Sequence, residues 1–452
     1  GPLHTGSTND IWGWTDPMSG KEYALAGTRS GIVFVDITDP ADPVVLGKLL
    51  TSTDNSTWRD VKVYDNHAFV VSEANGHGMQ VFDLTQLRGL TEDDNREFFE
   101  DILYRGPGNA VGDAHNIAMN EESATAFIVG SDDCNGGLHM VDVSDPGNPT
   151  FSGCFSADGY THDVQCVIYD GPDTDYVGQE ICVASNEDET TIIDVTDRSN
   201  PVEISSVVYP NTAYAHQGWF TEDQRFFIAD DESDEQVFGF GATRTIIFDL
   251  EDLDNPEFDF FYFGPVNTSD HNLYIRGNYA FLSNYESGLR ILDISNIESG
   301  SLTEVGYFDT YPDGDFPSFN GQWSNYPFFP SGTIIANDQD FGLFILKTTF
   351  PITTDTAGTE LPDDVTYLLS AAYPNPFNSR ANLNLVVAEP QAVSAELLDI
   401  TGRRVLSLFD GPIAGHFPLR LSVEASNLPS GLYLVRVTGE DFTTTRRISL
   451  VR

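Results

Sequence analysis

The sequence predicts an all-β chain: a seven-bladed β-propeller followed by a small antiparallel β-sandwich of immunoglobulin-like kind. Three observations predict it. First, a strand–turn–strand pattern recurs, as in Gly31-IVFVDITDPADPVVLGKL, Gly137-LHMVDVSDPGNPTFSGCF and Gly288-LRILDISNIESGSLTEVGYF. Each copy is a β-branched or aromatic run ending in Asp, and most continue through a Ser/Thr-Asp-x-x-Asn/Asp-Pro turn into a second apolar run. Second, the anchoring residues Asp36, Asp83, Asp142, Asp194, Asp249 and Asp293 are spaced 47, 59, 52, 55 and 44 apart, close to the length of a four-stranded blade. Third, the pattern stops after Lys347 and a different alternation begins.

A hairpin precedes each repeat. Trp58-RDVKVYDNHAFVVSEA, His115-NIAMNEESATAFIVGSDD, His216-QGWFTEDQRFFIADDE and His271-NLYIRGNYAFLSNYES occupy this slot, and so do Asp10-IWGWTDPMSGKEYALAGT and Gln322-WSNYPFFPSGTIIANDQ. Two hairpins per unit give a four-stranded blade. One such sheet cannot bury both faces, whereas a ring of them buries every face on a neighbour. The Asp that ends each apolar run is expected to cap its turn through its own side chain, a structural role.

The propeller is assigned to residues 1–347 and a Thr-, Pro- and Asp-rich linker to 348–367. Residues 368–452 alternate through Ala381-NLNLVV, Val393-SAELLDITGRRVLSLF, Leu419-RLSVEA and Gly431-LYLVRVTG, which reads as a sandwich. Charge marks the same boundary: residues 1–367 hold 14 basic and 63 acidic side chains, residues 368–452 hold 8 and 7.

The whole chain has 70 Asp and Glu against 22 Lys and Arg, a net charge of −48. Such a surface repels nucleic acid and anionic membranes, so neither is expected as a partner. No apolar run approaches the ~18 residues of a membrane helix. The chain opens Gly-Pro-Leu-His and is read as a mature or trimmed product whose leader is gone. Cys134, Cys154, Cys166 and Cys182 fall within one short stretch without a C-x-x-C pair, which suggests two disulfides. The favoured pairing is Cys134–Cys154 with Cys166–Cys182, each bridging neighbouring strands.

The C-terminal segment resembles the type A sorting domain of type IX secretion substrates. The resemblance rests on Tyr373-Pro374-Asn375-Pro376-Phe377, the turn Asp399-x-x-Gly402-Arg403, the run from Ser430-Gly431, and the last strand with Arg446 and Arg447. It implies export across the outer membrane, with the type IX machinery as partner. The propeller is similar to the choice-of-anchor B family with its LVIVD-type repeats, through Ala114-His115-Asn116, Gly159-Tyr160-Thr161-His162-Asp163, Ala215-His216-Gln217, Asp270-His271-Asn272 and Gln322-Trp323-Ser324. That resemblance implies a surface location and no established chemistry.

His115, His162, His216 and His271 share one register, at the start of the innermost strand of four consecutive blades, so they are expected to form an arc at one mouth of the central channel. Asp10, Asp60 and Gln322 fall near that register in the other blades. Second strands return to the same mouth and end in Asp132-Asp133, Asn186-Glu187-Asp188, Asp230-Asp231-Glu232 and Asn284-Tyr285-Glu286. The candidate metal or ligand residues are His115, His162, His216, His271, Asp132, Asp133, Asp163, Asp230, Asp231 and Glu232. Imidazoles suit a transition metal and clustered carboxylates suit calcium. The arc is expected to be too wide for all four histidines to share one ion. His4, His67, His77, His139 and His416 stand in no constellation, and no hydrolase, zincin or Walker motif occurs. The favoured function is an exported binding or structural protein of the cell surface or extracellular space. The alternatives are a hydrolase or lyase acting at the His/acid face, and a subunit of an extracellular assembly with surface or self-assembly partners.

Overall fold

The computed structural model of the chain describes residues 7–350, 352, 366–370, 372, 375, 377, 380–413, 415, 419–424 and 428–451. Two compact units divide it, the larger comprising Gly1–Trp14 and Glu22–Asp355 and the smaller Thr15–Lys21 and Thr356–Arg452.

The larger unit is a propeller of seven antiparallel sheets. Their first strands are Thr8–Thr15, Arg59–Tyr64, Asn116–Asn120, Asp163–Ile168, Ala215–Phe220, Leu273–Arg276 and Gln322–Tyr326. These strands line the centre, and each contacts the first strand of a neighbouring blade. Seven separate apolar cores fill the spaces between successive blades. Strand alternation explains the division. Ile192 joins the core shared with the fifth blade while its neighbour Ile193 joins the core shared with the third.

All four strands of the first blade follow one another in sequence, so the ring closes without exchanging a strand. Closure comes from side chains. Thr8 Oγ1 donates to Asp338 O at 2.6 Å, and Asn337 Nδ2 donates to Asn9 O at 3.2 Å and Asp10 O at 3.1 Å. Ile11, Ala24, Phe329 and Ile335 form the core across the same seam.

The repeated aspartates do cap their turns. Oδ1 of Asp36, Asp83, Asp142, Asp194, Asp249 and Asp293 accepts the backbone N–H two residues on, at 2.9–3.0 Å in each case. The second blade departs from the repeat. Leu84–Leu87 form a short 3₁₀ turn whose Leu84 and Leu87 are buried beside Phe98. The chain thus crosses to the first blade, adds Arg96–Phe98 as a parallel fifth strand, and returns as the short strand Ile102–Tyr104. Among the described residues the seventh blade has three strands, not two hairpins.

Both disulfides pair as expected. Cys166 and Cys182 sit directly opposite on adjacent strands of the fourth blade, with Cα atoms 4.0 Å apart. Cys134, on the turn entering a third strand, joins Cys154 on the fourth strand of the same blade.

The smaller unit is a sandwich. Tyr367–Leu369, Arg380–Val387 and Leu419–Glu424 form one sheet; Arg404–Ile413, Gln391–Asp399, Gly431–Thr438 and Thr443–Leu450 form the other. Leu383, Leu385, Leu397, Val435 and Ile448 are among the residues filling the space between. The motif residues bind the last strand in place. Asn375 Oδ1 accepts Ser449 N–H at 2.8 Å, its Nδ2 donates to Arg447 O at 3.3 Å, and Phe377 bridges Leu450 in parallel. Arg446 Nη2 donates to Leu369 O at 2.8 Å. Gly402 takes φ of +83°, which closes the turn in which Asp399 Oδ1 accepts Arg403 N–H. Tyr373, Pro374 and Pro376 lie outside the described residues.

Candidate functional site

Innermost strands present side chains to the channel at three levels. At the first level are Asn9, Arg59, His115, His162, His216, His271 and Trp323. The second, one residue on, holds Asp10, Asp60, Asn116, Asp163, Gln217, Asn272 and Ser324. Two residues further come Trp12, Lys62, Ala118, Gln165, Trp219, Tyr274 and Tyr326, all of them lining one cavity. The second and third levels are two residues apart, so strand alternation sends them to one face; His115, His162 and His271 stand just before their strands and His216 at a register shift.

The four histidines form a continuous row. Ring centroids lie 4.1 Å apart for His115–His162, 4.2 Å for His162–His216 and 4.4 Å for His216–His271, and Trp323 continues the row 5.0 Å beyond His271. Every Nδ1 meets an acceptor: Glu73 Oε1 at 2.5 Å for His115, His216 O at 3.1 Å for His162, Asp230 Oδ1 at 2.8 Å for His216, and Trp323 O at 2.5 Å for His271. Carbonyl oxygens only accept, and Asp230 Oδ1 already accepts Gln217 N–H at 3.2 Å. In His162, His216 and His271 Nδ1 therefore carries the proton, and burial keeps these rings neutral, so their Nε2 atoms keep the lone pair.

Among the described residues three donor groups converge, Asp133–Cys134–His139, Asp173–Asp252–Asp254 and one in the histidine row. A ligand nitrogen of His216, one of His271 and a carboxylate oxygen of Glu232 all lie within 4.8 Å of one another. His271 Nε2 is 3.6 Å from Glu232 Oε1, and Tyr285 OH donates to that oxygen at 2.5 Å. Tyr285 adopts φ of +40°, a left-handed conformation rare for an aromatic residue, which lays its ring 4.7 Å from His271.

Burial sets the protonation. It pushes His271 down to about 3, and it holds His216 and His162 well below the usual range, with the neighbouring imidazoles acting in the same direction. Burial also lifts the Asp230 and Glu232 carboxyls. Neutral imidazoles offer lone pairs to a cation, and a bound cation would draw the buried carboxyls into their charged form. The carboxylate behind His216 fixes its ring as such carboxylates fix metal-bound histidine.

The remaining candidates are placed elsewhere. Asp231 holds a turn, accepting from Tyr209 OH and from the N–H groups of Ala213 and Tyr214. Asp132 faces Asp113. Asp133 Oδ2 binds His139 Nδ1 at 2.8 Å, and Tyr104 OH meets the other ring nitrogen at 2.9 Å, so His139 does belong to a constellation. Cys134 lies beside them, but its sulfur is in a disulfide and offers no thiolate. His77 pairs with Arg59 at 2.8 Å and His67 with Asp65 O, while His4 and His416 lie outside the described residues. Glu73, which orients His115, escapes a reading by motif; its signal is its place at the end of a second strand.

Asp163 belongs to the second level with Asp10 and Asp60. Lys62 Nζ lies 2.7 and 2.9 Å from the two oxygens of Asp60. Asp163 Oδ2 accepts Asn116 Nδ2 at 3.2 Å, and Asp10 Oδ2 accepts Asn272 Nδ2 at 3.3 Å. Burial pushes Asp163 up to about 7 and, with Asp60 nearby, Asp10 up to about 8.

The sequence pattern described as the secretion system C-terminal sorting domain matches residues 371–451. The LVIVD repeat matches residues 112–156, 177–208 and 270–310. No curated protein matches the sequence. Among solved structures, the β-propeller domain of Cps50 (Swd1) from Myceliophteria thermophila is similar at 13% identity and a TM-score of 0.50, covering 77% of this chain and 99% of that one. PorZ, a bacterial surface component of the type-IX secretion system of Porphyromonas gingivalis, is similar at 13% identity and a TM-score of 0.46, covering 96% of this chain and 58% of that one. No helix among the described residues is long and apolar enough to cross a membrane. The chain is a type IX-secreted β-propeller with LVIVD repeats and a C-terminal sorting domain, destined for the cell surface or the extracellular space.

Proposed function

We propose that the protein is an extracellular binding protein whose propeller holds a divalent transition-metal ion at the His216–Glu232–His271 mouth. The observation that carries this reading is the convergence of those three donors within 4.8 Å. Two imidazoles and one carboxylate suit zinc or a similar ion, whereas calcium would demand six or more oxygens. Membership of the choice-of-anchor B group, with its surface-exposed propeller, is part of the same reading. The test is elemental analysis and zinc titration of the desalted full chain beside Glu232→Gln and His271→Ala. One tight equivalent in the parent, lost in both variants while the fold is kept, is expected. Equal zinc uptake by all three proteins would overturn the site.

A second reading follows from the ligand number. Three protein donors leave a fourth position of a tetrahedral site open, the arrangement of hydrolytic zinc centres. The His115–Glu73 pair stands at the end of the same row, its two side chains 12% and 33% exposed. Zinc-dependent, chelator-sensitive hydrolysis of p-nitrophenyl acetate that disappears in His115→Ala would favour an enzyme. Metal retention without turnover would favour binding alone.

A further inference from the structure

The opposite mouth of the channel opens into a cavity of about 340 Å³. It is separate from the histidine row: the third level lies three residues further along each strand, ~10 Å at the rise of a β-strand. Five aromatic rings enclose one side. Trp12 meets Tyr326 at 5.0 Å and Tyr274 at 5.6 Å, Trp219 meets Tyr274 at 5.0 Å, and Tyr326 meets Phe328 at 5.3 Å, all edge to face. These rings come from the first, fifth, sixth and seventh blades, so only the closed ring assembles them.

The floor is acidic. Asp163 lines the cavity, and Asp10 and Asp60 stand beside it in the second level. The single lysine there, Lys62, is committed to Asp60, with its ammonium 4.7 Å from the Trp12 ring centroid. That contact is itself an ammonium held over an indole by the wall of this chamber. Asp10 and Asp163 share that one ammonium with Asp60, three carboxyls to a single cation.

Two ligand chemistries use aromatic walls: sugars and organic cations. A sugar needs several polar groups with spare hydrogen-bonding capacity, and here three of the four amide groups of Gln165 and Gln217 are already engaged. Gln217 Oε1 accepts Leu273 N–H and its Nε2 donates to Leu273 O, while Gln165 Oε1 accepts Phe220 N–H. Buried carboxyls beside aromatic rings, which a bound cation would draw into their charged form, favour a cation instead.

We propose that this chamber binds a small organic cation of the alkylammonium or quaternary ammonium class, held by Trp12, Trp219, Tyr274 and Tyr326 over Asp163. The site is independent of any metal at the histidine mouth, so the test is run with chelator present. The full chain is titrated with choline, with its neutral isostere 3,3-dimethyl-1-butanol and with glucose, following tryptophan fluorescence and calorimetry. Choline is expected to bind saturably, at least ~10-fold more tightly than the isostere, the gain a desolvated cation–π contact supplies. Asp163→Asn and Trp219→Leu are expected to weaken choline by about 10-fold each while leaving the isostere unchanged. Equal affinity for choline and its isostere, preference for glucose, or no binding of any probe would each overturn the proposal. The comparison of probes on the parent protein decides the matter even where a variant fails to fold.

Discussion

His216 Nδ1 and Asp230 Oδ1 are hydrogen-bonded at 2.8 Å across neighbouring strands of the fifth blade, with the imidazole 1% exposed and the carboxylate fully buried. The carboxylate fixes the tautomer and aims Nε2 away from the sheet. Asp230→Asn keeps the shape but removes the ionisable carboxyl that a bound cation would draw into its charged form, and its effect is expected on the metal and not on the fold. Zinc affinity should drop about 10- to 100-fold, the usual cost of losing such an orienting partner. Competition with a chromogenic chelator measures it; an unchanged affinity would separate Asp230 from the site.

The second level makes stability depend on pH with a definite sign. Asp10 titrates at about 8 and Asp163 at about 7 in the fold, against roughly 4 for an unfolded carboxyl. Native protein thus holds protons that the unfolded chain has released, and stability falls as pH rises through that interval. His162, His216 and His271 are depressed in the fold, so above about 6.5 they are neutral in both states and add no slope. Below that pH the unfolded chain takes protons the buried row refuses, and the histidines then lower stability as pH falls. Between pH 6.5 and 8, with chelator present, the melting temperature of the parent should decline. Asp10→Asn should flatten the decline by up to ~1.4 kcal/mol per pH unit. A parallel decline in the variant would show that Asp10 holds no extra proton.

Cys166–Cys182 closes a loop of sequence separation 16 inside the fourth blade. For a loop of that size the constraint on the unfolded chain amounts to about 3 kcal/mol. Cys166→Ala with Cys182→Ala should unfold at correspondingly lower denaturant, and dithiothreitol should move the parent in the same direction. If reductant leaves the parent's transition where it was, the bridge does not contribute.

In the sorting domain, Asn375 accepts from Ser449 N–H and donates to Arg447 O. Asn375→Ala removes both bonds, a loss of about 1–2 kcal/mol at the terminal strand. Hydrogen exchange should quicken about 10-fold for the Ser449 amide. The propeller amides should not change. Unchanged protection at Ser449 would mean that Phe377 alone holds the strand.

Much of this protein is local and therefore legible from its sequence. Alternation along Thr190–Asp194 assigns Ile192 and Ile193 to different cores, and Asp194 caps its turn with an oxygen two residues from its target. Such features depend on neighbours within a few residues, so repeat length, blade number, disulfide pairing and sorting domain all follow from them. The shared register of His115, His162, His216 and His271 is equally a matter of spacing. What spacing could not decide is how close the rings stand, which nitrogen each leaves bare, and which carboxylates meet them. Asp132 and Asp133 sit at the same kind of strand end as Asp230, yet one faces Asp113 and the other His139. Glu73 and Tyr285 reach the row from the second and sixth blades, and Trp12 meets Tyr326 only where the ring closes. These contacts join residues remote along the chain, and each distance is set by the twist and packing of neighbouring blades. Spacing along the chain is enough to specify a secreted propeller with a row of histidines, whereas the packing of distant blades selects which side chains of that row form a metal-sized group and builds an aromatic chamber at the other end.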